Sequence, residues 1–363
     1  MIIGTLTYHK ADNYGAVLQS YALCHYLCGQ GLDAENIDYW PKHHAEVYRL
    51  WCWDKRHYHF QGIKGKINYI LNFPFLLLRN YRRKNNFNKF RKQTMKIVPL
   101  RNHYDAVFYG SDTIWNRWSL NELFTGFDET YWGADSIAAK HRFSYAPSMG
   151  NVIDNEEAKN HCKKHLIQFD KISVREDTLK KKLEEWGFNN IHIAVDPTML
   201  LSKHRWEKLA SPRIIKDDYI LCYNLERSEI CNNMADNLGK ELKMRVIQLT
   251  ALVSNTASKN IFDTAGPFEF LSLFSHASYV VTSSFHGCVF SIIFNKQFCF
   301  HSNAETERIS YLLHSYGLTE RFVTSPDTAS MLMPINYNHV NNLVEKKVVA
   351  SKQFIADCLK IIG

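Results

Sequence analysis

The chain has 363 residues, which is enough for two domains of ordinary size or for one large domain. Its hydrophobic content of 45% and charged content of 22% argue against a disordered or low-complexity protein, and its net charge of +8 favours an anionic partner. Because the first ten residues lack the pattern of a signal peptide and no apolar run reaches the ~18–20 residues of a membrane span, we expect a cytoplasmic protein.

Strand and helix patterns alternate from the start of the chain. MIIGTLTY predicts a strand, GAVLQSYALCHYLCGQG predicts a helix that ends at Gly29 and Gly31, and AENIDYW predicts a second strand. In the turn before the helix, Asn13 and Gly15 would leave backbone N–H groups facing an anion or a sugar hydroxyl. Turn geometry alone is the alternative reason for these two residues.

A basic segment interrupts this alternation. Residues 79–92, RNYRRKNNFNKFRK, hold seven Arg or Lys and no acid, and Phe87 and Phe90 are spaced as on one helix face. We interpret the segment as a solvated helix with an apolar stripe, inside a helical insertion over about 45–96. A second interpretation is peripheral contact with the inner membrane face, aided by WCWDKRHYHF at 51–60. Nucleic acid is the least favoured partner, since no recognition motif accompanies the charge.

Three further strand patterns each run into a polar turn. They are YDAVFYGSD, KHRFSYAPSMG and FDKISVRED. The first puts Ser111 and Asp112 at a strand end, where both are candidate site residues. The alternative role for the aspartate is helix capping. The third ends with Arg175 and Glu176, which are also candidate site residues. The alternative is that these two side chains form an exposed ion pair.

A second series of strands and helices follows a boundary near residues 200–215. It consists of DYILCYNL, a helix from about Ser228 to Lys243, MRVIQLTA, a helix near PFEFLSLFSHA, SYVVTSS, CVFSIIFN and KQFCFH. The order predicts an α/β protein with parallel sheets in two Rossmann-like domains, 1–200 and 201–340, and a C-terminal helix at 341–363 that packs back on the first domain. Since ligands bind beyond the carboxyl ends of such strands, the polar turns of both domains should face one cleft.

His286 lies between two apolar segments, and both segments are predicted to be buried. TSSFHG at 282–287 follows an apolar strand and precedes an apolar helix, so His286 should lie at a helix start on the cleft edge. A helix N-terminus lowers a histidine's pKa, whereas a bound multiply charged anion raises it and makes the imidazolium a proton donor. Capping of the helix, or a bond to a carbonyl group, is the alternative.

The nine cysteines are scattered along the chain. They form no Cys-x-x-Cys motif, and no Cys/His pair completes a tetrahedral site beside Cys24 and Cys28. We therefore expect buried, reduced thiols and no metal.

The ordered set of these segments resembles the polysaccharide pyruvyl transferase family from residue 2 to about residue 322. The matching pieces are TYHKADNYGAVLQSYAL, YGSDTIWN, FSYAPSMG, FDKISVRED, VDPTMLL, VVTSSFHGCVFSIIFNKQF and ERISYLLHSYGLTERF. The resemblance implies a GT-B-like architecture. It also implies transfer of the pyruvyl unit of phosphoenolpyruvate onto a sugar as a ketal, in cell-surface polysaccharide (capsule or exopolysaccharide) assembly.

The implied chemistry distributes roles over the cleft residues. Phosphoenolpyruvate carries a phosphate and a carboxylate, so its site needs cationic and N–H donors. By position and by similarity to the family's histidine, His286 is the general acid. The other implied site residues are the donor-binding Arg175, Arg308, Ser284 and Gly287, and the acceptor-binding Asn13, Gly15 and Ser111.

The base that takes the proton from the sugar hydroxyl stays open among three carboxylates. Asp112 is the candidate we favour; Glu176 and Asp196 are the others, and Asp196 has the alternative role of capping the turn before Pro197. No cofactor or metal is required, with phosphoenolpyruvate as co-substrate.

One departure from the family concerns the donor side. Some relatives have Arg-Leu-His where this chain has Ser284-Phe285-His286, so their cation two residues before the histidine is missing here. Arg308 or Lys296 is the replacement that we expect.

Two other functions remain open at this stage. A GT-B glycosyltransferase that uses a nucleotide sugar would share the layout. A non-catalytic member would bind a glycan or a lipid-linked oligosaccharide at the membrane surface through residues 79–92. The sequence does not predict the acceptor sugar, its carrier or the oligomeric state.

Overall fold

The computed structural model describes residues 1–50, 62–119, 124–253, 258–303, 307–326 and 334–363. Over these residues the chain forms two parallel β-sheets, each flanked by helices. The segment 51–60, which the sequence linked to membrane contact and which contains Cys52, lies outside the described residues.

The first sheet has the strand order β3-β2-β1-β4-β7-β8-β9, and every pairing in it is parallel. The strands are β1 (Ile2–Leu6), β2 (Asp33–Ile37), β3 (Ile97–Val98), β4 (Tyr104–Asp112), β7 (Ala139–Pro147), β8 (Lys171–Val174) and β9 (His192–Ile193). A small antiparallel pair, β5 (Trp118–Ser119) and β6 (Thr125–Gly126), lies outside it. The helices are α1 (Tyr14–Gly29), α2 (Lys42–Val47), α3 (Gly62–Thr94), α4 (Glu156–Leu166) and α5 (Asp177–Glu185).

The second sheet repeats this plan with the order β12-β11-β10-β13-β14, again all parallel. Its strands are β10 (Tyr219–Tyr223), β11 (Arg245–Leu249), β12 (Ile261–Phe262), β13 (Tyr279–Thr282) and β14 (Gln297–Phe300). The helices are α6 (Lys203–Leu209), α7 (Glu229–Leu242), α8 (Pro267–His276), α9 (Phe285–Ile293), α10 (Glu307–Ser315) and α11 (Tyr337–Ile362). In both sheets the strand order reverses direction beside the first strand, which is the Rossmann arrangement.

The strands and helices that the sequence predicted are confirmed in type and near position. Local signals explain this: Asn13 caps α1 by accepting the N–H of Ala16, and Ser284 caps α9 by accepting that of Gly287. Apolar runs such as YILCY become strands buried along their whole length, as expected for parallel strands covered on both faces.

The basic segment at 79–92 is a helix with an apolar stripe, as predicted, but only part of it is solvated. It forms the last part of α3, and Phe87 and Phe90 are buried as predicted. Arg83, however, is also buried, and its guanidinium donates to Tyr14 Oη and to the carbonyls of Thr250 and Asp263 at 2.9–3.2 Å. Because Tyr14 belongs to the first domain and the two carbonyls to the second, this cation holds the domains together.

Arg91 and Arg79 act in the same region. Arg91 is buried and donates to three backbone carbonyls, those of His9, Lys10 and Ala11, and to the Asp12 carboxylate. Arg79 forms an ion pair with the fully buried Asp263 of the second domain. Part of the positive charge is therefore internal, which weakens its interpretation as a membrane or nucleic-acid surface.

The C-terminal helix α11 packs against the first domain. Ser351 Oγ accepts the N–H of Val195 at 3.0 Å, and Phe354 lies 5.0 Å from His192, ring centre to ring centre. This contact brings α11 to the end of β9, next to the cleft.

Eight of the cysteines lie in the described part of the chain, and all eight are free thiols. Seven of them are buried as expected, whereas Cys28 is exposed. Within the same residues, no helix is both long and apolar enough to cross a membrane.

Candidate functional site

The candidate site lies where the two sheets reverse strand order. In the first domain the turns after β1 and β4 meet at this point, and in the second domain the turns after β10 and β13 do so. Open α/β sheets bind ligands at such positions, beyond the carboxyl ends of the strands. His286 lies in the first turn of α9, which follows β13, and Gly15 lies in the first turn of α1, which follows β1.

Two buried side chains converge on a carboxylate oxygen of a third. Asp196 Oδ2 lies 3.4 Å from Arg175 Nη1 and 3.4 Å from His286 Nε2. None of the three atoms has a hydrogen-bond partner among the described residues, although each side chain is at least nine-tenths buried. Buried polar atoms without partners are uncommon in folded proteins, so this group has unused capacity to bind a ligand.

Asp196 has the capping role that the sequence offered as its alternative, and it also faces the cationic cluster. Its Oδ1 accepts the N–H and the hydroxyl of Thr198, which caps the 3₁₀ helix Pro197–Leu200. Its Oδ2 faces Arg175 and His286. Burial by itself would raise the pKa of Asp196, but the charges of His286 and Arg175 outweigh burial and hold that pKa well below its usual range. The carboxylate is therefore ionised at neutral pH.

Arg175 is fixed by the ends of the neighbouring strands. Its Nη2 donates to Ser111 Oγ at 2.9 Å, and its Nε donates to the carbonyl of Ala146 at 3.4 Å. Ala146 has a φ of 51°, a left-handed conformation that a non-glycine residue seldom adopts. The alternative interpretation, an exposed ion pair between Arg175 and Glu176, is wrong, because Arg175 is only 4% exposed and Glu176 only 2%.

Phe285 lies between two guanidinium groups. Arg175 Cζ is 4.9 Å and Arg308 Cζ is 5.7 Å from the centre of its ring, on the negative face that attracts cations. Arg308 Nε is buried and has no hydrogen-bond partner among the described residues. Burial and the like charge of Arg175 lower the pKa of Arg308.

Of the two proposed replacements for the missing family cation, Arg308 is at the cluster and Lys296 is not. Lys296 follows the far end of α9, about 15 Å along the helix axis from His286. Its electrostatic neighbours there are Lys203, Glu207 and Arg213.

His286 is held against the first domain by Gly15. A Cβ atom built on Gly15 would lie 2.0 Å from His286 Nδ1, so only glycine leaves room for the imidazole. This contact is a role for Gly15 other than the free N–H group that the sequence suggested. It also answers why a histidine lies between buried segments: its ring, 7% exposed, crosses from the second domain into the first.

Ser284 and Gly287 shape the start of α9. Ser284 Oγ accepts the N–H of Gly287 at 3.3 Å, and a Cβ on Gly287 would lie 2.2 Å from Thr282 Oγ1. Thr282 Oγ1 in turn donates to the carbonyl of Tyr223 and accepts the N–H of Ser284. These contacts orient the helix that presents His286.

Asn13 and Asp112 lie on the first-domain side. Asn13 lines a cavity of about 170 Å³ that the two domains share, together with Arg49, Arg83 and Lys84. Asp112 is half-buried at the end of β4, with a φ of 64°, and its Oδ1 accepts the N–H of Thr113. Ser111, predicted with the acceptor residues, lies against Arg175 instead.

Glu176 follows Arg175 and is 2% exposed. Burial raises the pKa of its carboxyl group to about 7, although the charge of Arg175 acts in the opposite direction. This carboxyl group therefore exchanges a proton near neutral pH.

A second cavity, of about 240 Å³, opens beside the three converging side chains. Its polar and aromatic lining comes from both domains and from α11: Arg175, Asp196, Phe285, Arg308, Tyr311, Tyr316 and Lys347. Lys347 Nζ donates to Tyr311 Oη at 3.2 Å. Sequence reasoning missed Lys347 and Tyr311, since nothing in the pattern of α11 or α10 separates these residues from ordinary helix-surface side chains.

Two groups of histidine and carboxylate side chains also come together in the first domain. One consists of His43, His44 and Asp128, all buried, and the other of Glu129, His161 and His165. Sequence reasoning found no such cluster, because each group combines residues that are far apart in the chain.

The fold and the site define a two-domain protein of the GT-B-like class with a buried, cation-rich site between its domains. The family model described as polysaccharide pyruvyl transferase matches residues 13–304, and the chain belongs to that family. A search of curated proteins finds no match.

Solved structures share the overall layout at low sequence identity. A UDP-N-acetylglucosamine 2-epimerase matches with a TM-score of 0.50 and 8% identity, covering 99% of this chain and 95% of its own. The UDP-GlcNAc 2-epimerase from Neisseria meningitidis, bound to UDP-GlcNAc, has a TM-score of 0.48 and 8% identity over 99% of both chains. That from Methanocaldococcus jannaschii has a TM-score of 0.47 and 11% identity, over 95% and 92%. At these identities the likeness concerns the fold alone.

Proposed function

We propose that this member of the family transfers the pyruvyl group of phosphoenolpyruvate to two hydroxyls of a sugar, forming a ketal and releasing inorganic phosphate. The observation that carries the proposal is a cationic cluster at a small cavity: Arg175 and Arg308 line the cavity, and His286 faces the same Asp196 oxygen as Arg175. Arg308 Nε is buried and has no hydrogen-bond partner among the described residues. Such donors suit an anion that carries both a phosphate and a carboxylate.

The size of the cavity supports a small donor. At about 240 Å³ it is below the range of about 300–1,000 Å³ typical of drug-sized ligands. A nucleotide sugar would need further space, whereas a three-carbon phosphate would not. Three cations, from Arg175, Arg308 and Lys347, line the cavity against one carboxylate, from Asp196.

His286 is the proton donor in this proposal. Protonation of the methylene carbon of phosphoenolpyruvate makes C2 electron-poor, and a sugar hydroxyl then forms a bond to C2 while its proton passes to a base. Asp196 orients the imidazole from the Nε2 side, and Gly15 supports it from the Nδ1 side. A second hydroxyl then displaces phosphate from C2, which closes the ketal, and its proton leaves with the phosphate.

Asp112 is the base that we propose for the sugar hydroxyl. Asp112 supports this role by its place at the end of β4, next to Ser111, which accepts from Arg175 of the donor cluster. The acceptor would approach along the turn that holds Asn13. We propose a sugar, free or linked to a lipid carrier, as this acceptor.

Thermal unfolding with and without candidate donors tests the donor assignment. Phosphoenolpyruvate should raise the melting temperature of the protein, and the rise should be lost in Arg175→Ala, because a ligand stabilises only the state that binds it. Stabilisation by a nucleotide sugar and not by phosphoenolpyruvate would refute the proposal. Turnover is then followed as phosphate release and ketal formation over a sugar panel, with His286→Ala expected to bind the donor and release no phosphate.

A further inference from the structure

The most enclosed group of potential metal ligands lies away from the donor cavity, between α2 and the segment that precedes the 3₁₀ helix Glu129–Trp132. One ring nitrogen from each of His43 and His44 and one carboxylate oxygen of Asp128 lie within 4.8 Å of one another. His44 is 4% exposed and Asp128 is 5% exposed. Histidine nitrogens with a carboxylate oxygen are a ligand set that zinc prefers.

The distance between His43 and Asp128 is compatible with two ligands of one metal ion. His43 Nε2 lies 3.3 Å from Asp128 Oδ2, yet it has no hydrogen-bond partner among the described residues. Two ligands bonded to one tetrahedral zinc ion at ~2.0–2.1 Å lie roughly 3.3 Å apart. His44 Nε2 is also buried without a partner in the described part of the chain.

Supporting contacts fix the carboxylate as outer-shell residues do in metal sites. Asp128 Oδ1 accepts the hydroxyl of Tyr39 at 3.0 Å and the N–H of Thr130 at 3.2 Å. Asp128 Oδ2 faces His43 and also lies 3.2 Å from the Tyr39 hydroxyl. Aromatic rings enclose the histidines: Phe124 stacks on His43 at 4.2 Å, and Trp40 stacks on His44 at 5.4 Å.

We propose that His43, His44 and Asp128 bind a divalent transition-metal ion, with zinc as the best fit to the ligand types. The three side chains supply three ligands, and water completes the coordination. The site is separate from the donor cavity and does not depend on the proposed function.

The second histidine cluster provides a matched control. Glu129 is exposed, and its Oε1 already accepts Lys164 Nζ at 2.8 Å, so a cation occupies the carboxylate that a metal would need. His161 lies in this cluster and stacks on Phe127 at 4.4 Å. His161→Phe should therefore leave metal binding unchanged.

The experiment uses full-length protein freed of metal with a chelator and titrated with zinc in competition with a chromophoric chelator. The wild type should bind about one zinc ion per chain with high affinity, and the cobalt-loaded protein should show the absorption of a tetrahedral site. His44→Phe, which keeps a ring in the aromatic enclosure, and Asp128→Asn, which still accepts from Tyr39 and Thr130, should both lose this ion. Tyr39→Phe should weaken affinity by ~10–100-fold, as loss of an outer-shell partner does.

Two results would overturn the proposal: a wild type that does not compete with the chelator, or tight binding that persists in Asp128→Asn and His44→Phe. Loss of the ion in His161→Phe alone would move the site to the other cluster and would also overturn it. Far-UV circular dichroism shows whether each variant is folded, and Asp128→Asn decides the matter if His44→Phe does not fold.

Discussion

Gly15 and His286 meet across the two domains, and the imidazole occupies the space in which a side chain at residue 15 would begin. The Cβ position of residue 15 lies 2.0 Å from His286 Nδ1. On its other edge the same ring faces Asp196 at 3.4 Å. Two residues therefore set the position of the proposed proton donor. Gly15 leaves room for the imidazole, and the carboxylate of Asp196 orients it.

Gly15→Ala should displace the imidazole and lower turnover by about 100-fold, the order of loss that a 1 Å misplacement of a reacting group produces. Measured kcat with phosphoenolpyruvate and an active acceptor checks this. The control is Gly29→Ala in the same helix, where a Cβ atom meets nothing within 4 Å. Equal activity of the two variants would contradict the role that we give to Gly15.

Glu176 should make stability depend on pH. Its folded-state pKa of about 7 is above the ordinary value of 4.5, so the folded state holds the proton more tightly than the unfolded state does. The stabilisation is complete below pH 4.5 and is lost as pH rises from there to about 7. The ionised form then costs the fold on the order of 3 kcal/mol, and Glu176→Gln should avoid that loss.

Urea unfolding of the wild type and Glu176→Gln between pH 4 and pH 8 measures this difference. The free energies of unfolding should agree at the acid end, and the variant should exceed the wild type at the alkaline end. Glu184→Gln, an exposed position on the same helix, should follow the wild-type profile to within about 1 kcal/mol. A constant difference between Glu176→Gln and the wild type across the range would show that the carboxyl group does not titrate as we infer.

Arg83→Ala should destabilise the protein by roughly 2–4 kcal/mol. The change removes charge-assisted hydrogen bonds to Tyr14, Thr250 and Asp263 and leaves buried carbonyls without donors. Denaturant unfolding measures the loss. Arg82→Ala removes the same charge from an exposed neighbour and should change stability by less than about 0.5 kcal/mol.

The same pair of variants separates an interdomain role from a surface role for the basic segment. If 79–92 mainly served a membrane surface, Arg82→Ala would weaken binding to anionic vesicles as strongly as Arg83→Ala does. We do not expect both variants to lose vesicle binding to the same extent. A large and equal loss of vesicle binding in both would restore the membrane interpretation.

Lys347→Gln should raise the KM for phosphoenolpyruvate by about tenfold, a loss of ~1.4 kcal/mol, because it removes one of three cations that line the donor cavity. Steady-state kinetics with varied donor measures this. Lys346→Gln changes the charge equally at an exposed position on α11 and should leave KM unchanged. An effect of the same size in both variants would mean that Lys347 acts through the overall field and not through the cavity.

Much of the fold was readable because its signals are local. Asn13 and Ser284 cap their helices, and the apolar runs at 219–223 and 279–282 form buried parallel strands, each as the neighbouring residues predict. The basic segment was misread for a related reason. Its periodicity correctly predicts which face carries Phe87 and Phe90, but it does not reveal that the second domain covers Arg83.

The sequence by itself determined the alternation of strands and helices, the two parallel sheets and the turns in which polar residues gather, since these follow from periodicity and from the preferences of neighbouring residues. It also determined that Arg175 and His286 end or follow buried strands, and it singled out Asp196 as the residue before Pro197. Only the tertiary structure decided that these three side chains share one oxygen atom, that Gly15 makes room for the imidazole, and that Lys347 and Arg308 reach the same cavity. Those contacts join residues from distant parts of the chain, and their distances depend on how two domains and a C-terminal helix pack, which no local pattern encodes.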